Sequence, residues 1–306
     1  MISLSRTIAR RLAATSSFML AAAGCAQHLP ETDAHAGHDM SATALGGTGA
    51  AADMTLPAGA ADVASRIAHS PRHGEYVMIA TGASDSVRAW VVYPERATEA
   101  PVVVVVHEIF GLSTWIRGVA DQLAAEGYIA IAPDLLTGKA TMAAGSDTLT
   151  QAVATAAIRT LKGDDVQRQL ATIGRYGMAL PAAEKRYGIV GFCWGGSTSF
   201  AHAVTSPAGL GASVVYYGTS PAPAALASVT APVLGLYAGD DARVNATIPV
   251  ADSGMRALGK RFEPHIFAGA GHGFLRQQDG KGGANLLAAR QAWPLTIAFF
   301  RQQLGR

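Results

Sequence analysis

The sequence predicts an α/β fold in which a mostly parallel sheet carries helices on both faces. Three observations lead to this prediction. The five consecutive valines Val102 to Val106 are typical of a central strand that is buried on both faces. Strand-like and helix-like segments alternate along the rest of the domain, as they do around parallel sheets. The region after residue 70 has about 230 residues, which is enough for one such domain.

The segments before the valine run predict an antiparallel hairpin at one edge of the sheet. Glu75 to Ala80 and Val87 to Tyr93 alternate or run apolar, and the turn residues Gly82 to Asp85 lie between them. A further strand is expected at Ile129 to Ala132.

Helices are expected where apolar residues recur at helical spacing. Ser113 is placed to cap the first of these helices, and Gly127 suits the left-handed position after its end. A second helix is expected from Asp164 to Tyr176. The last is expected from Ala284 to Gln303, with a kink or a restart at Pro294.

The segment GFCWGG places Cys193 in the position where an α/β-hydrolase holds its nucleophile. The strand-like Arg186 to Val190 precedes it, and the helix-like Ser197 to Val204 follows it. A sharp turn between strand and helix leaves no room for side chains around the nucleophile, so the flanking glycines fit this geometry. A free cysteine is more often packing material, and the motif alone therefore proves little.

Two later segments supply the partners that a nucleophile needs. The strand-like Pro232 to Ala238 runs into Asp240 and Asp241, and the strand-like Pro264 to Phe267 runs into His272. An aspartate pair after a strand is often only a turn former. Nucleophile, acid and histidine in this order, each at the end of a strand, favour catalysis in an α/β-hydrolase fold. From the residues alone, either aspartate could be the acid.

These segments together resemble the dienelactone hydrolase family from about Glu75 to the C-terminus. The motifs that carry the resemblance are HEIFGL, GYIAIAPDLL, GFCWGG, VVYYG, the GxDxxV pattern of Gly239, Asp241 and Val244, and GHGF. The resemblance implies a hydrolase that cleaves a small ester or lactone through an acyl-thioester on cysteine. It also implies a substrate that carries a carboxylate. This chemistry needs no cofactor and no metal.

The resemblance assigns catalytic roles to residues of this chain. It implies that Cys193 is the nucleophile, that His272 is the base and that Asp241 is the acid orienting the base. Glu108 is then the pocket carboxylate that accepts the thiol proton. Asp240 becomes a neighbour of the acid rather than the acid itself.

The resemblance also implies residues that hold the substrate. The backbone amides of Ile109 and Trp194 are expected to form the oxyanion hole, where losing one donor typically costs about 10²- to 10³-fold in rate. Arg276, four residues after the histidine, and Tyr216 of VVYYG are expected to contact the substrate.

One segment departs from the family pattern. Thr137 to Thr150 contains no arginine, although the family's other substrate-anchoring arginine follows the APDL strand. Lys139 or Arg159 could substitute, but no motif selects either. This departure and the bulky Trp194 leave a second function open, that of a broad-specificity exported carboxylesterase or thioesterase.

Residues 1–25 have the pattern of a bacterial export signal. An arginine-containing start leads into the mildly apolar run Leu12 to Ala23, and AAGC ends at Cys25. This end resembles a lipobox, which would make Cys25 the lipidated N-terminus, although Ala22 stands where leucine is usual. Plain cleavage is the alternative. In either case we expect an exported protein that is periplasmic or held at a membrane only by a lipid anchor.

Residues 26–70 are predicted to be a flexible low-complexity tether, followed by the hydrolase domain at residues 71–306. His28, His35 and His38 lie in the tether, so a noncatalytic lipoprotein that binds metal is a third alternative. No ring of ligands is preorganised there, and we therefore expect no metal site.

The charge of the chain bears on its partners. The formal net charge is only +2, and the domain has no clusters of lysine or arginine that could follow a phosphate backbone. We therefore expect a small-molecule ester or lactone as the partner and no nucleic acid.

Overall fold

A computed structural model describes residues 53–139 and 145–305 of the protein, and these residues form one eight-stranded sheet. The strands are β1 Gly74–Ala80, β2 Ser86–Val92, β3 Ala100–Val106, β4 Ile129–Pro133, β5 Ala183–Phe192, β6 Leu210–Tyr216, β7 Val233–Ala238 and β8 Phe262–Phe267. Their order across the sheet is β1-β2-β4-β3-β5-β6-β7-β8. Strand β2 is antiparallel to both neighbours, and the remaining pairs are parallel.

The described part of the chain contains eight α-helices around this sheet. They are α1 Val63–Ala68, α2 Thr114–Ala125, α3 Gln151–Ile158, α4 Gly163–Ala179, α5 Trp194–Thr205, α6 Ala242–Asn245, α7 Ile248–Ala257 and α8 Ala284–Leu304. Short 3₁₀ turns span Ser146–Thr148, Pro223–Ser228 and Lys281–Gly283.

The valine run forms the central strand β3, as predicted, and all five valines are fully buried. Successive side chains of a strand point to opposite faces of the sheet. The odd-numbered valines accordingly share a core with Val119 of α2 and Trp293 of α8, and the even-numbered valines share another with Leu170 of α4. Helices thus cover both faces of the sheet, and the predicted α/β-hydrolase fold class is confirmed.

The local predictions mostly hold. Strands β1 and β2 pair as an antiparallel hairpin at the edge of the sheet. The Ser113 hydroxyl caps α2 by accepting from the Ile116 amide at 3.4 Å, and Gly127 has φ 93°. The last helix does not restart at Pro294, because α8 is one element from Ala284 to Leu304.

The predicted tether is too long at its C-terminal end. Leu56 and Val63 are only 2% and 4% exposed, and the Trp115 indole nitrogen of α2 donates to the Ala58 carbonyl at 3.2 Å. Residues 53–70 therefore belong to the folded domain, which corrects the boundary at residue 70. Residues 53–70 contain few large apolar side chains, but Leu56 and Val63 among them are buried against α2. Residues 1–25 and 26–52 lie outside the described residues.

The described residues include helices of up to 21 residues. None of their helices combines the length and the apolar character needed to cross a bilayer.

The topology brings four loops to one edge of the sheet. Strands β3, β5, β7 and β8 run in the same direction, so their carboxyl ends lie at the same edge. The loops after these ends carry Glu108, Cys193, Asp241 and His272. In open α/β sheets, this edge is where ligands bind.

Candidate active site

Cys193 occupies a strained turn between β5 and α5. Its backbone has φ 58° and ψ −115°, a conformation that few residues with a side chain adopt. Its amide donates to the Tyr216 carbonyl at 3.0 Å. A Cβ atom at Gly191 would clash with the backbone of Gly195, and one at Gly196 would clash with the Tyr216 carbonyl. The glycines of GFCWGG are therefore required by close backbone contacts, as the sequence predicted.

Asp241 and His272 form a close pair. The Asp241 carboxylate caps α6 through Oδ1, which accepts from the Val244 amide, and its Oδ2 lies 2.5 Å from Nδ1 of His272. The side chain of Asp241 is only 9% exposed, whereas that of Asp240 is 49% exposed and pairs with Lys281 at 3.1 Å. The geometry thus joins the histidine to the second aspartate of the pair.

Glu108 and Arg276 form a buried ion pair. Nε of Arg276 lies 2.7 Å from Oε2 of Glu108, whose side chain is only 3% exposed. Burial raises the pKa of Glu108 to about 7, although the Arg276 charge acts in the opposite direction. The ion pair uses Nε of Arg276, and the two terminal nitrogens make no hydrogen bond within the described residues. The guanidinium carbon lies 5.2 Å from the Phe110 ring centroid. The arginine can therefore still receive an anion.

The Cys193 thiol interacts electrostatically with the carboxylates of Glu108 and Asp241. Burial, and then the negative charge of Glu108, raise the pKa of Cys193 to about 11, with a further contribution from Asp241. The amide of Trp194 and the charge of Arg243 lower it by smaller amounts. The thiol is therefore protonated at neutral pH in the unliganded protein, and a base is needed to form the thiolate.

The backbone amides of Ile109 and Trp194 are the predicted oxyanion donors. Within the described residues, the Trp194 amide donates only to the Cys193 sulfur. The Ile109 amide donates to no backbone carbonyl and to no side chain there. Trp194 begins α5, so its amide lies at a helix N-terminus, where negative charge is favoured. These donors suit a developing oxyanion.

The loop that carries Glu108 is held by a buried histidine. His107 donates from Nδ1 to the Glu108 carbonyl at 2.7 Å and accepts at Nε2 from the Leu135 amide at 3.2 Å. Its ring stacks on Trp194 at 5.5 Å. Burial lowers the pKa of His107, which agrees with a neutral ring that both donates and accepts.

The expectation that Tyr216 contacts the substrate is wrong. Tyr216 ends β6 and is fully buried, and its hydroxyl bonds to that of Thr296 at 2.7 Å. The next residue, Tyr217, leaves the strand with φ 40° and places its ring 5.1 Å from that of His272. Tyr217 is fully buried in the same core as Tyr216, and both rings pack against Phe274. Of the two rings, that of Tyr217 packs against His272, and the VVYYG motif alone does not distinguish them.

Neither proposed substitute for the missing arginine belongs to this site. Lys139 lines a different surface cavity with Asp165 and Arg168, and Arg159 is exposed after the end of α3. Sequence analysis missed Arg243, the cation that does act on the thiol; its position two residues after Asp241 was the available signal.

Clustered metal ligands are absent from the described ranges, 53–139 and 145–305. These ranges contain no group of three or more histidine, cysteine, aspartate or glutamate side chains arranged to hold a metal ion. Cys25, the lipidation candidate, and the tether histidines lie outside the described residues.

The chain is similar to known proteins over most of its length. The sequence profile of the dienelactone hydrolase family matches residues 87–304. The chain belongs to this family. A Salmonella typhi protein named "Putative carboxymethylenebutenolidase" is 30% identical over 272 residues, which cover 82% of this chain and 98% of that protein. A protein of the same name from Saccharolobus solfataricus is 29% identical over 247 residues, covering 71% and 94% of the two chains.

Solved structures of the family have the same fold. The crystal structure of "Putative Dienelactone Hydrolase" from Klebsiella pneumoniae subsp. pneumoniae MGH 78578 superposes with a TM-score of 0.66 at 27% identity, covering 76% of this chain and 99% of that one. Together with the family match, this makes the protein a hydrolase that acts on a small molecule. The noncatalytic alternative is therefore removed.

Proposed function

We propose that the protein hydrolyses a small ester or lactone that carries a carboxylate, with Cys193 as the nucleophile. The observation that carries this proposal is the ion pair of Glu108 and Arg276 beside the half-buried thiol. The pair combines a cation for the substrate's carboxylate with a base whose pKa of about 7 suits proton transfer near neutral pH.

Substrate binding would activate the thiol. The substrate's carboxylate binds the terminal nitrogens of Arg276 and competes with Glu108 for the guanidinium charge. Glu108 is then a stronger base and takes the proton of Cys193, and the thiolate attacks the substrate's carbonyl carbon. The resulting oxyanion accepts from the amides of Ile109 and Trp194.

The acyl group is then transferred in two steps. When the tetrahedral intermediate collapses, its carbon–oxygen bond breaks, and Glu108 returns the proton to the leaving oxygen. The acyl group remains on Cys193 as a thioester. His272 next takes a proton from water, the hydroxide displaces the thiolate, and the imidazolium returns the proton to sulfur. Asp241 stabilises that imidazolium and fixes its tautomer.

A broad-specificity carboxylesterase or thioesterase is the second candidate. An apolar cluster beside the nucleophile supports it, because Ile109, Leu149 and Trp194 pack against Leu136 and the buried residues of α3. Such a wall suits a neutral acyl or alcohol group and gives no preference for a carboxylate.

Matched esters separate the two candidates. We would compare para-acetoxybenzoate with its neutral amide, para-acetoxybenzamide, on wild type and on Cys193→Ala and Cys193→Ser. The lead proposal expects a higher kcat/KM for the benzoate and a loss of at least about 10³-fold in Cys193→Ala. Equal kcat/KM values for both esters support the second candidate. Unchanged turnover in Cys193→Ala contradicts both, since both use the thiol.

Export is the remaining part of the proposal, and the pattern of residues 1–25 supports it. Cell fractionation and metabolic labelling with palmitate test it in wild type and Cys25→Ser. Lipidation predicts label in the membrane fraction that Cys25→Ser loses. Unlabelled periplasmic protein indicates plain cleavage, and recovery of the full-length chain in the cytoplasm contradicts export.

A further inference from the structure

The segment that precedes β1 contacts the loop that carries Arg276. We call residues 53–62 and α1 the N-terminal strap. The strap precedes residues 87–304, which the family profile matches. Leu56, Ala58 and Val63 of the strap are buried, so it is part of the core although its sequence resembles that of a tether.

Helix α2 holds one side of the strap. The indole nitrogen of Trp115 donates to the Ala58 carbonyl at 3.2 Å, and the Gln122 side chain donates to the Met54 carbonyl at 3.2 Å. Gly118 faces Val63 so closely that a Cβ atom there would clash with the valine side chain. The strap therefore has one defined seat on α2.

The loop that carries Arg276 holds the other side. The Ala60 amide donates to the Arg276 carbonyl at 2.8 Å, and the Gln278 side chain donates to the Pro57 carbonyl at 2.8 Å. One of these hydrogen bonds is accepted by Arg276 itself, and the other is made by Gln278, two residues later. Within the loop, the Arg276 amide donates to the Gly273 carbonyl at 3.0 Å.

The strap also lines one side of a cavity next to this arginine. The cavity has a volume of about 300 Å³, at the lower end of the range for small-ligand sites. Ala60 and Val63 of the strap line it together with Phe110, Ser146 and Arg276. A ligand whose carboxylate meets the guanidinium would therefore also touch the strap.

We propose that the N-terminal strap is a positioning element for substrate recognition, which fixes the Arg276 loop and forms the cavity wall beside it. This inference rests on the proposed function, in which Arg276 binds the substrate's carboxylate. The strap acts through the arginine and contacts none of the groups assigned to bond making or breaking. It should therefore affect the preference for carboxylated substrates more than the chemical steps.

The test removes one strap contact from outside the cavity. Gln278→Ala deletes the hydrogen bond to Pro57 together with one to the Leu275 carbonyl of the same loop. Gln277→Ala is its matched control, because the exposed Gln277 side chain makes no hydrogen bond within the described residues. The readout is kcat/KM for para-acetoxybenzoate divided by that for para-acetoxybenzamide. We expect Gln278→Ala to lower this ratio about threefold to tenfold, the range for one hydrogen bond, mainly by raising KM for the benzoate. Gln277→Ala should leave the ratio unchanged.

Gly118→Ala is a second variant that displaces Val63 from α2. It should lower the same ratio while kcat for the neutral ester stays within about twofold. Equal loss for both esters, or an unchanged ratio in both strap variants, overturns the proposal, because a merely structural segment would lower the active fraction for both substrates alike.

Arg276→Ala separates this inference from the proposed function. If the ratio falls in Arg276→Ala but not in Gln278→Ala or Gly118→Ala, only the strap proposal fails. If Arg276→Ala leaves the ratio unchanged, Arg276 does not recognise the substrate's carboxylate. The proposed carboxylate specificity and the strap proposal then both fail.

Discussion

Nδ1 of His272 lies 2.5 Å from Oδ2 of Asp241, while the adjacent Asp240 carboxylate pairs with Lys281 on the half-exposed side of the same turn. Two neighbouring carboxylates thus have different surroundings. The buried one can fix the tautomer of the imidazole and stabilise its charged form.

Asp241→Asn should strongly impair the enzyme. An asparagine keeps the shape of the side chain but removes the charge that stabilises the His272 imidazolium, so we expect kcat to fall by about 10²- to 10⁴-fold. Steady-state kinetics on para-acetoxybenzoate measure this loss.

The matched control is Asp240→Asn, which loses only an exposed ion pair worth little in stability. Its kcat should remain within about twofold of wild type. A reversed pattern, in which Asp240→Asn loses activity and Asp241→Asn keeps it, would show that the wrong aspartate has been assigned.

The sequence could predict the nucleophile turn because its steric requirements are local. The glycines around Cys193 meet neighbouring backbone at distances that no side chain would fit, and such a requirement is visible as GFCWGG. The order of thiol, acid and histidine likewise follows from the strand-end loops of a parallel sheet.

Other features depend on contacts that no motif records. Glu108 and Arg276 are far apart in sequence, and only the folded chain shows that they form an ion pair. The burial of Leu56 depends on α2 supplying an apolar partner, which composition within one segment does not reveal. Tyr216 and Tyr217 are adjacent in sequence and equally buried, and only the folded chain shows that the ring beside His272 is that of Tyr217.

The pKa of Cys193 predicts a slow-reacting thiol. Because the thiol titrates at about 11, its alkylation by iodoacetamide should accelerate with each pH unit up to that value. Glu108→Gln removes a negative charge that raises the thiol pKa, so the curve should move to lower pH.

Asp279→Asn controls for the change in net charge, because Asp279 is exposed on the Arg276 loop. Its alkylation curve should coincide with that of wild type. A wild-type rate that is already constant between about pH 7 and 9 would show a resting thiolate and contradict the assigned protonation state.

The two adjacent tyrosines should respond differently to loss of the hydroxyl. Tyr216→Phe removes the bond to Thr296 and should lower the free energy of unfolding by about 1 kcal/mol without changing kcat/KM. The Tyr217 hydroxyl is buried without a partner among the described residues, so Tyr217→Phe should not lower the stability.

Tyr217→Phe should instead reduce kcat/KM, because the Tyr217 ring lies 5.1 Å from that of His272. Burial, and then the charges of Glu108 and Cys193, raise the pKa of Tyr217, so its hydroxyl stays protonated beside the site. Urea unfolding and steady-state kinetics on both variants check the pair. An active, destabilised Tyr217→Phe beside an impaired, stable Tyr216→Phe would reverse the assignment.

The buried His202 should make the protein less stable in acid. It accepts from the Tyr187 hydroxyl and donates to the Gln167 side chain, each at 2.8 Å, and burial lowers its pKa to about 4. The unfolded chain takes up this proton near pH 6.5, so stability is complete above that pH and falls as the pH drops toward 4. The loss reaches about 3 kcal/mol, at about 1.4 kcal/mol per pKa unit.

Urea unfolding between pH 7 and pH 4 measures this fall. His202→Gln has no titratable group at the position, so its stability should depend less on pH. His265→Gln, on β8, should retain the wild-type dependence. Identical slopes in wild type and His202→Gln would assign the acid sensitivity to other groups.

The most direct measurement for the whole account is rapid-quench mass spectrometry of the peptide that contains Cys193, taken during turnover of para-acetoxybenzoate. The account predicts an acetyl group on the Cys193 sulfur, with a longer lifetime in Asp241→Asn because deacylation needs an oriented imidazole. An acetyl group on any other residue, or wild-type turnover by Cys193→Ala, would contradict it.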